Sequence, residues 1–281
     1  MRVLLCLHRD FMSNIALNRL RAALSSHDFE IVLSRSIGLK SSPKAQAITE
    51  WQNYEGALID GELFPLIDAR GSDRWFQSFD EIAKGSVSGR SHEFPSINLG
   101  EGLQFVQALN PDLIVSIRFG QIFKPPLIDV PRFGIINLHS GILPGYRGIL
   151  ATFWAMLEGV PEIGCTLHTI VDGTIDTGPV IGIHRRPAEP ERSLLWNVAS
   201  LYEGGTVMIA GVIEGLASAS ELSLTPQRAG EGRYFSFPNE DDVQRFLSRG
   251  LTLYIDKDYA ELCRPYGVTL KPTLSSRFTA R

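Results

Sequence analysis

The chain has 281 residues, of which 44% are hydrophobic and 21% are charged, and these fractions are typical of a soluble globular protein. The formal net charge of −4 excludes the strong basic field that general nucleic-acid binding needs. No apolar run is long enough to span a membrane or to act as a secretion signal, so we expect a cytoplasmic protein with no membrane partner. The three cysteines lack metal-ligand spacing, and we expect no metal site.

The first half of the chain alternates between short apolar runs and amphipathic segments. The runs predict strands at 3–7, 29–33 and 56–59, and Ser13 is predicted to cap a helix between the first two strands. Asn98 and Glu101 have the spacing of a capping box, ahead of a helix that ends before Pro111. Strands that alternate with helices in this way are typical of a parallel sheet.

The second half continues the pattern with predicted strands and two helices. The strands are predicted at 113–117, 134–138, 164–170 and 180–184, and one helix at 149–158. Ser193 is predicted to cap a long helix that runs to about Leu216, and a short acidic-start helix follows near Asn239. We therefore predict an α/β fold, with a Rossmann-like, mostly parallel sheet flanked by helices. A core at 1–215 would be followed by a small C-terminal extension at 216–281.

Polar residues follow the predicted strand at 134–138. Asn137 and His139 are separated by one residue, so in an extended segment both side chains point the same way, at the strand end where open α/β sheets bind ligands. Asp176 lies in a glycine-rich loop further along, and a carboxylate beside an imidazole can fix its tautomer. Taken singly, Asn137 and Asp176 also fit turn residues and His139 a satisfied polar group, so the residues alone indicate only a polar site.

The same residues belong to a longer ordered pattern. The chain reads N137-L-H139, L143-P-G-Y146-R147-G148, W154-A155, G164-C-T166 and D172-G-T-I-D176-T-G178, with F119-G-Q-I-F123 upstream. This set resembles the signature of the formyltransferases that use 10-formyltetrahydrofolate, and the resemblance is strong over about residues 100 to 185. Many relatives read Ser-Leu-Leu-Pro after the histidine, whereas this chain departs from that pattern with Gly141 in the loop.

The resemblance implies a role for each residue in formyl transfer. Asn137 would hold the formyl oxygen, His139 would act as hydrogen-bond donor and acid, and Asp176 would orient His139 and collect the amine proton. It also implies 10-formyltetrahydrofolate as co-substrate without a metal. The residues implied to hold its pterin are Gln121, Ile122, Phe123, Val171, Asp172, Gly173, Thr174 and Ile175. Those implied to shape the substrate loop are Ser140, Tyr146 and Arg147, with Arg147 equally able to be structural.

The acceptor is left open between two small molecules. From Ser218 onward, nine Lys and Arg residues stand against eight Asp and Glu residues, which disfavours initiator tRNA as a partner. The chain also begins directly at its first strand, unlike hydrolases of the family that carry an N-terminal regulatory domain. The best interpretation is N5-hydroxyornithine in siderophore biosynthesis. The alternatives are a nucleotide-linked amino sugar and, in another class, a non-catalytic folate-binding protein.

Overall fold

The structure is a computed structural model that describes residues 1–36, 44–69, 75–228 and 230–268. The strands in this part of the chain are β1 (Arg2–His8), β2 (Asp28–Ser34), β3 (Ser91–Glu93), β4 (Leu113–Ile117), β5 (Ile135–His139), β6 (Tyr146–Gly148), β7 (Glu162–Ile170), β8 (Val180–Pro187) and β9 (Arg233–Phe235). The helices are α1 (Phe11–Leu24), α2 (Gln46–Leu58), α3 (Phe64–Asp68), α4 (Phe79–Ala83), α5 (Gly100–Leu109), α6 (Ala151–Glu158), α7 (Leu194–Ala217), α8 (Glu240–Ser248) and α9 (Asp256–Cys263).

Seven strands form one sheet in the order β3-β2-β1-β4-β5-β7-β8. Neighbours from β3 to β5 pair in parallel, whereas β7 pairs antiparallel with both β5 and β8. The expected α/β fold with a mostly parallel, Rossmann-like sheet is therefore confirmed. Because the parallel strands end at one edge of the sheet, that edge gathers the loops after β1, β4 and β5.

Helices cover both faces of the sheet, and alternate residues of each strand supply the two cores. In β1, Leu5 and Leu7 belong to the larger core with α1 and α7, whereas Leu4 and Cys6 face the smaller core that contains Val106 of α5. This explains why the parallel strands read as continuous apolar runs, since a strand buried on both faces has no polar side. Among the described residues, no helix is long and apolar enough to cross a membrane.

Three of the local predictions are wrong. The run at 56–59 is not a strand, because α2 extends to Leu58 and a π-helical turn follows at Ile59–Leu63. Such a short apolar run does not distinguish a strand from a buried helix. Asp10, not Ser13, caps α1, and its Oδ1 accepts the backbone N–H of Ser13 at 2.7 Å. Asn98 does not cap α5, which begins after Leu99.

Other termini are as predicted. The Ser193 hydroxyl accepts the backbone N–H of Trp196 at the start of α7, and Asn239 and Asp242 form a capping box at the start of α8. A short apolar helix also ends at Glu158, with Gly159 in the left-handed conformation as its C-cap. These signals depend on residues a few positions apart, which is why the sequence alone predicted them.

The residues after α7 pack against the core at the same edge as the β5 end. Strand β9 pairs in parallel with β6, so that Tyr146 lies beside Arg233 and Gly148 beside Phe235. An isolated pair of backbone hydrogen bonds, each 2.8 Å long, also joins Thr225 to Val180 at the start of β8. The division of the chain at residue 215 stays a prediction, but part of the proposed extension contacts the predicted site directly.

Candidate active site

The predicted polar residues lie where β5 ends between β4 and β7. The register pairs Asn137 of β5 with Ser116 of β4 on one side and with His168 of β7 on the other. His139 is the last residue of β5, and Asp176 lies in the loop between β7 and β8. Because β7 runs antiparallel to β5, this loop begins opposite Ile135, the first residue of β5, and it folds back along β5 to bring Asp176 to His139.

His139 is buried with an oxygen acceptor beside each ring nitrogen. Its Nε2 donates to the backbone carbonyl of Tyr146 at 2.6 Å, and its Nδ1 lies 3.4 Å from Oδ2 of Asp176. Only 7% of the His139 side chain and 8% of the Asp176 side chain are exposed. A proton on either nitrogen therefore has an oxygen to bind, so the ring is held in place in either protonation state.

Asp176 is the group to which the surrounding donors converge. Burial alone would raise its pKa, but His139, His168 and the backbone N–H of Gly148 favour the charged form more strongly and lower the pKa to about 2. The Gly148 N–H donates to Oδ2 at 2.8 Å. Asp176 is therefore an anion at neutral pH, able to orient an imidazole.

His168 belongs to this cluster, although the sequence analysis did not single it out. Its Nδ1 donates to the carbonyl of Thr169 at 2.9 Å, which leaves Nε2 to accept the Asn137 amide at 3.1 Å. The same Nε2 lies 3.4 Å from Oδ1 of Asp176. His168 thus lies between Asn137 and Asp176, and its Nε2 accepts the Asn137 amide when it carries no proton and donates to Asp176 when it does. In the sequence, the available signal for His168 was its position two residues after Thr166 in a predicted strand. The register between β7 and β5 shows that His168 faces Asn137.

The residues predicted near the end of β4 have mixed environments. The Gln121 side chain is structural, because its Oε1 accepts the Ile97 N–H at 2.7 Å and its Nε2 donates to the Phe94 carbonyl at 3.0 Å. Phe123 is buried in the smaller core, whereas the Ile122 side chain is 45% exposed. Of these three, only Ile122 has an exposed side chain, and the other two can contribute through their backbone.

The predicted loop at 171–175 lies against that segment. A Cβ built on Gly173 would be 3.8 Å from the carbonyl oxygen of Phe123, so the two backbones approach closely. Val171 and Ile175 expose apolar side chains in this loop, at 58% and 39%. Asp172 closes a tight turn by accepting the Thr174 N–H at 2.8 Å. The two segments are therefore adjacent and leave apolar side chains exposed.

The predicted substrate loop is tied to its neighbours. The Tyr146 hydroxyl donates to Glu158 at 2.6 Å, and burial together with this carboxylate raises its pKa to about 12. Arg147 donates to the backbone carbonyl of Glu231, a contact that fits the structural alternative for this residue. The Ser140 carbonyl accepts the hydroxyl of Thr152 at 2.9 Å.

Gly141, the departure from the family pattern, touches the imidazole of the site. A Cβ on Gly141 would be 2.5 Å from the Ala151 side chain and 2.7 Å from Nε2 of His139. Both distances are far below van der Waals contact, so a side chain at this position would displace the histidine or α6. The glycine allows the loop to close over His139. Among the described residues, no group of three or more His, Cys, Asp and Glu side chains is arranged to hold a metal ion.

Comparison with known proteins finds similarity in the same part of the chain. Residues 91–195 match the protein family described as Formyl transferase. Methionyl-tRNA formyltransferase of Trichlorobacter lovleyi is 32% identical over 125 residues, which are 44% of this chain and 39% of that protein. The enzyme of the same name from Bacillus pumilus is 34% identical over 142 residues, 49% of this chain and 43% of that protein. The chain thus matches less than half the length of these curated relatives.

Solved structures extend the likeness of the fold over most of the chain. A sugar N-formyltransferase from Shewanella sp FDAARGOS_354 has a TM-score of 0.54 at 17% identity, covering 94% of this chain and 87% of that one. Glycinamide ribonucleotide transformylase 1 from Symbiobacterium toebii has a TM-score of 0.54 at 15% identity, covering 81% and 94%. At these identities the likeness concerns the fold alone. Residues 91–195 of this chain thus match a formyl transferase domain.

Proposed function

We propose that this chain transfers the formyl group of 10-formyltetrahydrofolate to a small-molecule amine or hydroxylamine. The observation that carries the proposal is the contact of 3.4 Å between buried His139 and buried Asp176, at the carboxyl end of β5 within the matched domain. A histidine paired with an ionised carboxylate is a proton-transfer unit, and amine formylation requires one proton to leave the acceptor and one to reach the leaving group.

Each of the three side chains has a role that its contacts allow. Asn137 has two amide hydrogens, of which one reaches His168, and the other would donate to the formyl oxygen as negative charge develops there. Removing such a donor typically costs about 2.7–4 kcal/mol in the barrier. His139 would give a proton to the departing nitrogen. Asp176, ionised because its pKa is about 2, would keep the ring oriented and would collect the proton lost by the attacking amine only transiently, passing it on to His139.

The exposed apolar side chains near the candidate site suit a flat heterocycle. Ile122, Val171 and Ile175 leave apolar surface exposed on two segments that Gly173 lets approach each other, so a ring lying on this surface would contact apolar carbon and backbone polar groups. The folate supplies the formyl group when it is bound. The backbone of Gln121 and Phe123 and the turn at Asp172 and Thr174 complete the proposed binding residues.

For the acceptor, N5-hydroxyornithine is the first proposal and a nucleotide-linked amino sugar is the second. The amino-sugar proposal gains support from the fold of the Shewanella sugar N-formyltransferase, whose structural match covers 94% of this chain. The curated relatives are named for methionyl-tRNA, yet the residues after 217 have almost equal numbers of basic and acidic side chains. A tRNA partner would require cations that neutralise phosphates, so a small acceptor is favoured.

A panel of acceptors tests the proposal directly. The purified chain is mixed with 10-formyltetrahydrofolate and, separately, with N5-hydroxyornithine, a dTDP-amino sugar, glycinamide ribonucleotide or methionyl-tRNA, and release of tetrahydrofolate is followed. We expect transfer to one of the first two. His139→Ala should lower turnover by about 10²–10⁴-fold, the usual contribution of a general acid–base group. His27→Ala, before β2 and at the opposite edge of the sheet, is the matched control.

Three outcomes contradict the proposal. Folate binding without transfer to any acceptor would favour a non-catalytic folate-binding protein. A turnover of His139→Ala equal to that of the wild type would remove His139 from the mechanism even if formyl transfer occurred. Transfer to methionyl-tRNA alone would replace the proposed class of acceptor.

A further inference from the structure

Two stretches outside the matched domain, residues 225–228 and 230–235, contact the candidate active site at one point each. At the first point, Nε2 of Gln227 donates to the carbonyls of Asp176 at 3.0 Å and of Gly178 at 2.8 Å. The hydrogen bonds between Thr225 and Val180 anchor the first stretch two residues earlier. The side-chain amide of Gln227 therefore holds the backbone of Asp176 in place.

Asp176 needs such support because its backbone is in the left-handed region, with φ of 56°. Residues other than glycine rarely adopt this conformation, and they keep it only where the surroundings impose it. The direction of the Asp176 side chain follows from this backbone conformation. If the loop relaxed, the carboxylate would leave the positions 3.4 Å from His139 and 3.4 Å from His168.

The second contact involves Gly148, whose backbone N–H donates to the Asp176 carboxylate. Pairing of β9 with β6 places Gly148 beside Phe235, and a Cβ on Gly148 would be 2.2 Å from the carbonyl oxygen of Phe235. The Gly148 N–H in turn donates to Asp176 at 2.8 Å. The two stretches thus support Asp176, the first through its own backbone and the second through its hydrogen-bond donor.

We propose that Gln227 is a positioning residue of the formyl-transfer site, which holds the backbone of Asp176 so that its carboxylate faces His139 and His168. This inference rests on the proposed function for its effect on turnover, but not for its effect on Asp176. The Oε1 atom of Gln227 is buried and accepts no hydrogen bond within the described part of the chain. The contribution of this side chain is therefore confined to the two bonds that its Nε2 donates.

The variant Gln227→Met tests the inference, because Met keeps the length of the side chain but donates nothing. Arg228→Met is the matched control, since the neighbouring Arg228 side chain is 84% exposed. Two quantities are measured in each protein: kcat and KM with the best acceptor, and the pKa of the Asp176 carboxyl group by carbon-13 NMR. A merely structural role for Gln227 would lower stability without moving that pKa.

We expect kcat of Gln227→Met to fall by about tenfold to a hundredfold with a smaller change in KM, since misplacing a reacting group by about 1 Å can cost about a hundredfold. The pKa of Asp176 should rise from about 2, because the carboxylate loses its partners while it stays buried. Arg228→Met should change neither quantity.

A Gln227→Met protein with wild-type kcat and an unchanged Asp176 pKa would overturn the inference. If this variant does not fold, Gln227→Glu replaces it, because an ionised carboxylate of the same size cannot donate to the two carbonyls and should have the same effects. If the wild type transfers formyl to no acceptor, the proposed function fails, whereas the NMR titration still decides the role of Gln227.

Discussion

Oδ2 of Asp176 lies 3.4 Å from Nδ1 of His139, and the side chains of both residues are more than nine-tenths buried. The two residues belong to different elements, since His139 ends β5 and Asp176 lies between β7 and β8. Away from water, the attraction between a carboxylate and an imidazole that gains a proton is stronger than at the surface. The pair is therefore suited to proton transfer and also makes stability depend on pH.

The first prediction concerns acid stability. The folded-state pKa of Asp176, about 2, is below the value of about 3.9 for Asp in an unfolded chain, so folding favours its charged form. The resulting stabilisation is present above pH 4 and is lost as the pH falls towards 2; the shift corresponds to about 2 kcal/mol. Urea unfolding from pH 6 to pH 2 should show a shallower decline for Asp176→Asn than for the wild type.

The control for this measurement is Asp28→Asn, because Asp28 is exposed at the start of β2. Its pH profile should parallel that of the wild type. An Asp176→Asn profile that also runs parallel to the wild type would show that the carboxylate gains nothing from His139 and His168.

The second prediction uses two glycines of one loop. In Gly141→Ala, the new Cβ would be 2.7 Å from Nε2 of His139. We expect this overpacking to lower the stability by about 1–3 kcal/mol and, because the ring is displaced, to lower kcat as well. In Gly145→Ala, the nearest atom is the Ile142 carbonyl oxygen at 3.4 Å, so activity should be retained. Thermal unfolding and turnover are measured for both. Equal turnover in the two variants would contradict the geometry of the loop.

The third prediction concerns His168. His168→Phe keeps a ring but removes the acceptor for Asn137 and one partner of Asp176. Losing a buried hydrogen bond to a charged group costs about 1.5–3 kcal/mol. If the bond is needed in the transition state, kcat should fall by about ten- to a hundredfold. The pKa of Asp176 should also rise. His27→Phe is the control, and a fully active His168→Phe enzyme would show that His168 only fills space.

The fourth prediction concerns an ionic cluster beside the site. Arg118 donates to Asp10 at 2.7 Å and to Glu55 at 3.0 Å, so one buried cation serves two buried acidic side chains. Burial raises the pKa of Glu55 to about 8, and Asp10 adds to the effect while Arg118 opposes it. Because the folded-state pKa is raised, the associated stability is complete below about pH 4 and is lost as the pH rises towards 8.

Glu55→Gln should remove this part of the pH dependence. Its free energy of unfolding should change less between pH 5 and pH 8 than that of the wild type, as measured by urea unfolding at a series of pH values. Glu50→Gln, in the same helix, is the matched control and should follow the wild type. The prediction fails if the Glu55→Gln and wild-type curves keep a constant separation across this range.

Local patterns predicted most of the elements and part of the site. Strands buried on both faces read as apolar runs, and caps such as Ser193 depend on neighbours a few positions away. Asn137 and His139 were recognisable because alternate residues of a strand share a face. The same reasoning was wrong at 56–59, where a run of four residues fits a strand and a helix equally well.

The tertiary structure alone decided which distant groups meet at that strand end. His168 faces Asn137 because of the register between β5 and β7, and Gln227 reaches the Asp176 carbonyl because Thr225 anchors its segment to β8. Register and crossing segments depend on the pairing of strands far apart in the chain, and the local pattern of either partner does not encode them. The sequence by itself therefore determined the kinds of element and the Asn-x-His motif, whereas packing determined the partners that orient its charges.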